Sequence, residues 1–108
     1  MKLSILAVLP VVLCLLTSTA MASPDYCDNE SAAREDLKKS LLKSYKISFS
    51  TVKMQFDAGM GDYEKICSAP SSEPSQGIIE GLNSTYYPSF STIWMLYEEN
   101  YADYKALQ

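Results

Sequence analysis

The catalytic chemistry open to this chain is limited by the residue types it contains. Histidine is absent from all 108 residues, and histidine is the usual general base and the commonest zinc ligand in proteins. Two Ser-x-x-Lys pairs, beginning at Ser40 and Ser50, have the spacing by which a lysine activates a serine nucleophile in penicillin-binding enzymes. Their companion motifs are missing, and the chain is too short for that fold. The sequence therefore predicts a protein that is not an enzyme and that uses no metal or cofactor.

Residues 1–22 have the pattern of a secretory signal peptide. Lys2 precedes an apolar run over residues 3–16, and Ala20-Met21-Ala22 has the A-x-A form of a cleavage site. The run is shorter than the roughly 20 apolar residues that a membrane-spanning helix needs, and an uncleaved anchor is the alternative interpretation. We therefore expect an exported protein, in the periplasm or outside the cell, with a single helical domain over residues 23–108.

The remaining cysteines predict one disulfide bond. Cleavage after Ala22 would remove Cys14 and leave Cys27 and Cys67. An even number of cysteines in a small exported chain is typical of a disulfide framework, and a domain of 86 residues buries too little surface to be very stable without a crosslink. Two free thiols, or a bridge between two chains, are the alternatives.

An internal repeat predicts the elements that would bring these cysteines together. The run SFSTVKM at residues 48–54 recurs as SFSTIWM at residues 89–95, and the segments 45–67 and 86–108 share eight identities. Apolar residues at helical spacing occur in both halves. We therefore predict two repeat units, 27–67 and 68–108, offset by 41 residues, each of them a helical hairpin.

Chain length predicts where the first hairpin must turn. A single helix over residues 29–57 would be about 45 Å long, and the residues from Asp57 to Cys67 extend at most about 36 Å, so Cys67 could not reach Cys27. Ile47 aligns with Pro88, and each is followed by a serine that can cap a new helix. We expect helices over residues 30–46 and 49–66, with a Ser/Pro-rich loop over residues 68–76.

The expected architecture is an all-α fold in which the two hairpins form a small four-helix bundle. Neither hairpin can bury its apolar face alone, so the two faces should pack against each other. The same packing can form within one chain or between two chains. A monomer and a swapped dimer are therefore both consistent with the sequence.

The last predicted helix has an aromatic face that is a candidate binding surface. Its residues are Trp94, Tyr97, Tyr101 and Tyr104. Tyrosine has an apolar ring and a polar hydroxyl, so such faces often lie at interfaces. This pattern favours the binding of another protein or a small apolar ligand. A core helix whose tyrosine hydroxyls reach solvent is the alternative.

The first hairpin carries most of the positive charge. Without the leader the chain has eight basic and thirteen acidic residues, a net charge of −5. A predicted basic strip consists of Lys39, Lys43, Lys46 and Lys53. An anionic membrane surface or an acidic protein surface would complement this strip, whereas a solvated helix face is the simpler interpretation. The acidic balance and the lack of a basic-aromatic motif argue against nucleic-acid binding.

The function expected from these features is binding without catalysis. The protein would be an exported inhibitor, immunity protein or chaperone-like protein that acts through the aromatic helix face. The alternative is a secreted toxin or antimicrobial that acts on membranes through the basic first hairpin. Asn29 and Asn83 begin Asn-x-Ser/Thr sequons and would be glycosylation acceptors in a eukaryote, although the compact leader suits a bacterium equally well.

Overall fold

The computed structural model describes residues 23–108, and the expected signal peptide lies outside the described residues. A short 3-10 helix, Asp25–Asp28, precedes four α-helices, and residues 23–108 contain no strand. The helices are α1 Glu30–Ser44, α2 Phe49–Cys67, α3 Ser75–Tyr86 and α4 Phe90–Ala106. The predicted all-α class is confirmed.

Both predicted turns lie where the repeat places them. Helix α2 begins at Phe49 and α4 begins at Phe90. Ser48 and Ser89 occupy the N-cap positions, but neither side chain makes the expected capping hydrogen bond. The Ser48 hydroxyl instead donates to Thr51 Oγ1 at 2.7 Å. The serines were thus predicted correctly in position, and their capping role was wrong; at Ser48 a neighbouring hydroxyl competes for the bond.

A disulfide closes the open end of the first hairpin. The sulfur atoms of Cys27 and Cys67 lie 1.99 Å apart, and the two Cα atoms lie 5.7 Å apart. The Tyr63 hydroxyl donates to the Tyr26 carbonyl oxygen at 2.7 Å, close to this bridge. The 3-10 helix is therefore attached to α2 by one covalent bond and one hydrogen bond.

All four α-helices contribute to one apolar cluster. Helices α2 and α4 pack against each other, α1 packs on α2, and α3 packs on α4. The buried members of the cluster are Ala33, Leu37, Met60, Tyr63, Ile66, Ile79, Phe90, Ile93 and Tyr97. The apolar faces of the two hairpins therefore meet along α2 and α4.

The aligned phenylalanines of the two hairpins have opposite environments. Phe49 is 67% exposed, whereas Phe90 is fully buried at 0% exposure. The rings of Tyr26, Tyr63 and Tyr87 surround Phe90 at centroid distances of 5.3, 5.2 and 5.6 Å. The aligned positions in the sequence thus do not share one environment. Tyr26 belongs to the N-terminal segment, which packs against Phe90.

Candidate functional site

The aromatic face of α4 is a ladder of stacked rings. Successive ring centroids of Trp94, Tyr97, Tyr101 and Tyr104 are 5.0, 5.8 and 6.3 Å apart. Tyr97 is only 5% exposed, and its hydroxyl shares a hydrogen bond of 2.8 Å with Ser75 Oγ. Trp94 and Tyr101 are partly buried against the core, and Tyr104 is exposed. Tyr97 therefore joins α4 to α3, and the outer faces of the other three rings are the part that a ligand could reach.

The turn of the first hairpin exposes large apolar side chains. Ile47 is 92% exposed and Phe49 is 67% exposed, and Leu42 and Tyr45 are also exposed. We call these four residues the hairpin tip. They lie within eight consecutive positions, at the end of α1 and the start of α2. Apolar side chains grouped in this way on a small protein are typical of a site that contacts a membrane or another protein.

The predicted basic strip flanks the hairpin tip. Lys43 and Lys46 lie within the same stretch of chain, Lys39 lies one turn earlier in α1, and Lys53 lies in the second turn of α2. All four lysines are exposed. Lys53 pairs with Asp57 at 2.8 Å, whereas the other three form no ion pair with any of residues 23–108. The hairpin tip is therefore apolar with a positive border.

A cleft of about 700 Å³ separates the N-terminal segment from α3. Its lining consists of Ser23, Pro24, Asp25, Tyr26, Gln76, Glu80, Asn83, Ser84 and Tyr87. Sequence reasoning missed this cleft. Its two walls are about 55 residues apart in the chain, so no local spacing connects them, and the one motif among the lining residues, the sequon at Asn83, does not indicate a cleft.

Two tyrosines of the cleft are held by hydrogen bonds. The Tyr26 hydroxyl donates to Asn83 Oδ1 at 2.6 Å, and the Tyr87 hydroxyl donates to Asp36 Oδ2 at 2.6 Å. Burial raises the pKa of Tyr26 to about 12. Burial, together with the Asp36 carboxylate, also raises the pKa of Tyr87 well above its usual value. Both phenols are therefore protonated at neutral pH, and their rings are fixed in place.

The two sequons differ in accessibility. Asn29 is exposed, and its Oδ1 accepts a hydrogen bond from the backbone N–H of Ala32 as the N-cap of α1. Asn83 is partly buried within α3 and accepts the Tyr26 hydroxyl. A glycan at Asn83 would therefore stand at the wall of the cleft, whereas one at Asn29 would extend into solvent.

No cluster of three or more potential metal ligands occurs in the described part of the chain. No helix of residues 23–108 is long and apolar enough to cross a membrane.

No protein-family model matches the chain, and neither a curated protein nor a solved structure is detectably similar to it. The surfaces from which a function can be inferred are therefore the hairpin tip, the ladder of rings and the cleft.

Proposed function

We propose that the protein is an exported, non-catalytic helical binding protein that docks on anionic membranes through the hairpin tip. The observation that carries this proposal is the exposure of Ile47 and Phe49 beside unpaired lysines. A folded domain of this size has few large apolar side chains so fully in water without a partner. The Cys27–Cys67 bridge supports export, because disulfides persist mainly in oxidising compartments.

The energetic terms at the hairpin tip are large enough for reversible docking. Complete burial of an isoleucine or phenylalanine side chain contributes about 1.5–3 kcal/mol, and a lysine close to an anionic leaflet contributes about 1 kcal/mol. Ile47, Phe49 and three lysines together reach about 6–9 kcal/mol, before the loss of translational and rotational freedom is subtracted. Attachment of this strength is peripheral and far weaker than that of a spanning helix.

The charge distribution favours one orientation on the membrane. Eight of the thirteen acidic residues follow Met54, together with only two lysines. An anionic surface would repel that part of the chain and attract the first hairpin. The protein would therefore bind with the α1–α2 turn towards the lipid, and the binding would weaken with rising salt.

Vesicle sedimentation tests the proposal. The natively exported protein is mixed with vesicles of phosphatidylglycerol and phosphatidylcholine, and separately with vesicles of phosphatidylcholine alone. We expect binding to the anionic vesicles, and we expect the Ile47→Ser/Phe49→Ser variant to bind at least about tenfold more weakly. Met95→Ser is the matched control, since Met95 is also exposed but lies on the second hairpin.

Two results would reject the proposal. Unchanged vesicle binding by Ile47→Ser/Phe49→Ser would reject docking through the hairpin tip, and equal binding to neutral and anionic vesicles would reject the selection of an anionic surface by the lysines. Release of a trapped dye from the same vesicles then separates two kinds of membrane action. Dye release at micromolar protein would favour a toxin or antimicrobial, whereas binding without release would favour a peripheral binding protein.

The ladder of rings on α4 supports a second candidate, the binding of another protein or a small apolar ligand. Tyr104 at its end and Leu107, at the C-cap of α4, are exposed, and Trp94 is the single tryptophan of the chain. Its fluorescence emission therefore reports an occupied surface directly. Titration with the apolar dye 1-anilinonaphthalene-8-sulfonate should shift the emission, and Tyr104→Ser should reduce the shift. An emission spectrum that the dye leaves unchanged would count against this surface.

We also propose that the hairpins are two copies of one unit and that they pack as a small four-helix bundle. Phe49 begins α2 and Phe90 begins α4, so the two helices start at the same offset as the repeated sequence, which supports duplication. The shared apolar cluster supports bundle packing.

The intact mass of the exported protein tests the predicted processing, because cleavage after Ala22 requires a chain of Ser23 to Gln108. Its sedimentation behaviour separates a monomer from a swapped dimer.

A further inference from the structure

The cleft beside the N-terminal segment has properties that neither the hairpin tip nor the ladder of rings explains. Its volume of about 700 Å³ lies within the range of about 300–1,000 Å³ that is typical of small-molecule sites. It shares no lining residue with the hairpin tip. We propose that this cleft binds a small organic cation, an amine carried on an aromatic or aliphatic body.

The charges of the cleft select a cation. Asp25 and Glu80 both line it, and its lining includes no lysine or arginine from the described residues. Neither carboxylate forms a salt bridge with a described basic side chain. An anionic ligand would therefore meet two carboxylates that no basic side chain of the described residues pairs with, and an ammonium group would be attracted to both.

A buried amide adds a directed acceptor. Gln76 lines the cleft and is only 3% exposed. Its Nε2 donates to the Pro70 carbonyl oxygen at 2.8 Å, which fixes the orientation of the amide. Its Oε1 accepts no hydrogen bond from the described residues and can therefore accept one from an ammonium N–H in the cleft.

The rings of Tyr26 and Tyr87 supply the apolar part of the site. Their centroids lie 5.3 Å apart at an interplanar angle of 30°. Asn83 and Asp36 hold the two hydroxyls, so the rings need little reorganisation on binding. Aromatic rings both attract cations and pack against apolar groups. Carboxylates, a fixed acceptor and two rings together favour an arylalkylamine over a metal ion or a neutral lipid.

Three probes of one shape test the charge selection. These are tyramine, 4-ethylphenol, which lacks the ammonium group, and 4-hydroxyphenylacetate, which is anionic. Binding to the natively exported protein is followed by isothermal titration calorimetry and by the NMR shifts of the Glu80 and Asn83 amides. We expect tyramine to bind at least about tenfold more tightly than 4-ethylphenol and the anion to bind more weakly still. Equal affinities for tyramine and 4-ethylphenol would overturn the proposal, as would shifts confined to residues outside the cleft.

Matched variants locate the site. Glu80→Gln should weaken tyramine about fivefold or more and leave 4-ethylphenol unchanged. Glu98 is an exposed carboxylate on α4 that does not line the cleft. The Glu98→Gln variant should therefore bind tyramine as tightly as the unmodified protein does. The proposal fails if Glu98→Gln has the same effect as Glu80→Gln. Ile47→Ser/Phe49→Ser should retain tyramine binding, so failure of the membrane proposal and failure of this one are distinguishable.

A second source of ammonium lies within the chain itself. Ser23 lines the cleft, and cleavage after Ala22 would make its amine the N-terminus. If that amine fills the site, tyramine should bind only after the N-terminus has been acetylated. This result would overturn the proposal of a free ligand, whereas equal tyramine binding before and after acetylation would support it.

Discussion

Alanine substitutions at Gly59 and Gly61 would separate helix propensity from packing within one helix. Helix α2 is continuous from Phe49 to Cys67 and contains both glycines. A Cβ atom at Gly59 would lie 2.7 Å from Leu37 Cδ2, whereas a Cβ atom at Gly61 would meet nothing within 4 Å. The two positions thus share a helix and differ in their contact with α1.

The structure gives a different expected magnitude for each substitution. Alanine is about 0.8–1.0 kcal/mol more favourable than glycine inside a helix, so Gly61→Ala should raise the free energy of unfolding by about 1 kcal/mol. Gly59→Ala gains the same term but forces Leu37 to move, and overpacking costs about 1–3 kcal/mol. Leu37 borders a second cleft, of about 210 Å³, into which its methyl group can shift. The lower part of that range therefore applies, and Gly59→Ala should be neutral or destabilising by about 1 kcal/mol.

Urea unfolding followed by far-UV circular dichroism measures both changes in the free energy of unfolding. In thermal unfolding, a difference of 1 kcal/mol corresponds to a shift of about 4–8 °C in Tm for a domain of this size. In a Leu37→Ala background the contact is absent, so Gly59→Ala should there recover the gain of about 1 kcal/mol. Equal stabilisation by Gly59→Ala and Gly61→Ala in the unmodified protein would refute the packing argument.

Three further outcomes follow from the disulfide, from the buried hydrogen bond between Tyr97 and Ser75, and from the raised pKa of Tyr26. Removing the bridge by Cys27→Ser/Cys67→Ser should lower the free energy of unfolding by about 4 kcal/mol, because the bond closes a span of 40 residues; a loss below about 1 kcal/mol in denaturant titrations would contradict this. Tyr97→Phe should cost about 1–3 kcal/mol by leaving the Ser75 hydroxyl unpaired in the core, and adding Ser75→Ala should cost less than the sum of the two single changes. The pKa of Tyr26 is about 12 in the folded chain and about 10 when unfolded, so its contribution to stability is complete below pH 10 and is lost as the pH rises towards 12. Tyrosinate absorbance recorded together with circular dichroism tests whether helix is lost as Tyr26 ionises between pH 10 and 12. A single ionisation of all tyrosines near pH 10 without loss of helix would exclude this contribution of Tyr26 to stability.

The turns and the starts of the helices could be predicted from sequence because they depend on chain geometry and on repetition. With Cys27 and Cys67 paired, the rise of a helix and the reach of an extended chain require a turn between them, and the structure places that turn between Ser44 and Phe49. Repetition of the same residues at a constant offset then locates the start of α4 at Phe90. Only distances along the chain are needed for both inferences.

The environment of each aromatic side chain could not be predicted in this way. The repeat assigns equivalent places to Phe49 and Phe90, yet only Phe90 is enclosed by tyrosine rings. Helical spacing places Tyr97 on the candidate binding face, yet its hydroxyl is bonded to Ser75 inside the core. Helical periodicity reports which residues share a face, and the neighbouring element decides whether that face is covered.

The sequence by itself thus determined the all-α class and the positions of the hairpin turns, and it favoured a Cys27–Cys67 bridge over two free thiols or a bridge between chains. Only the tertiary structure decided which end of each hairpin is left in solvent and where a cleft opens. The N-terminal segment covers the start of α4 through Tyr26 and leaves the hairpin tip of α1 and α2 exposed. That asymmetry arises from contacts between residues far apart in the chain, whose free energies depend on packing and burial and leave no period in the sequence.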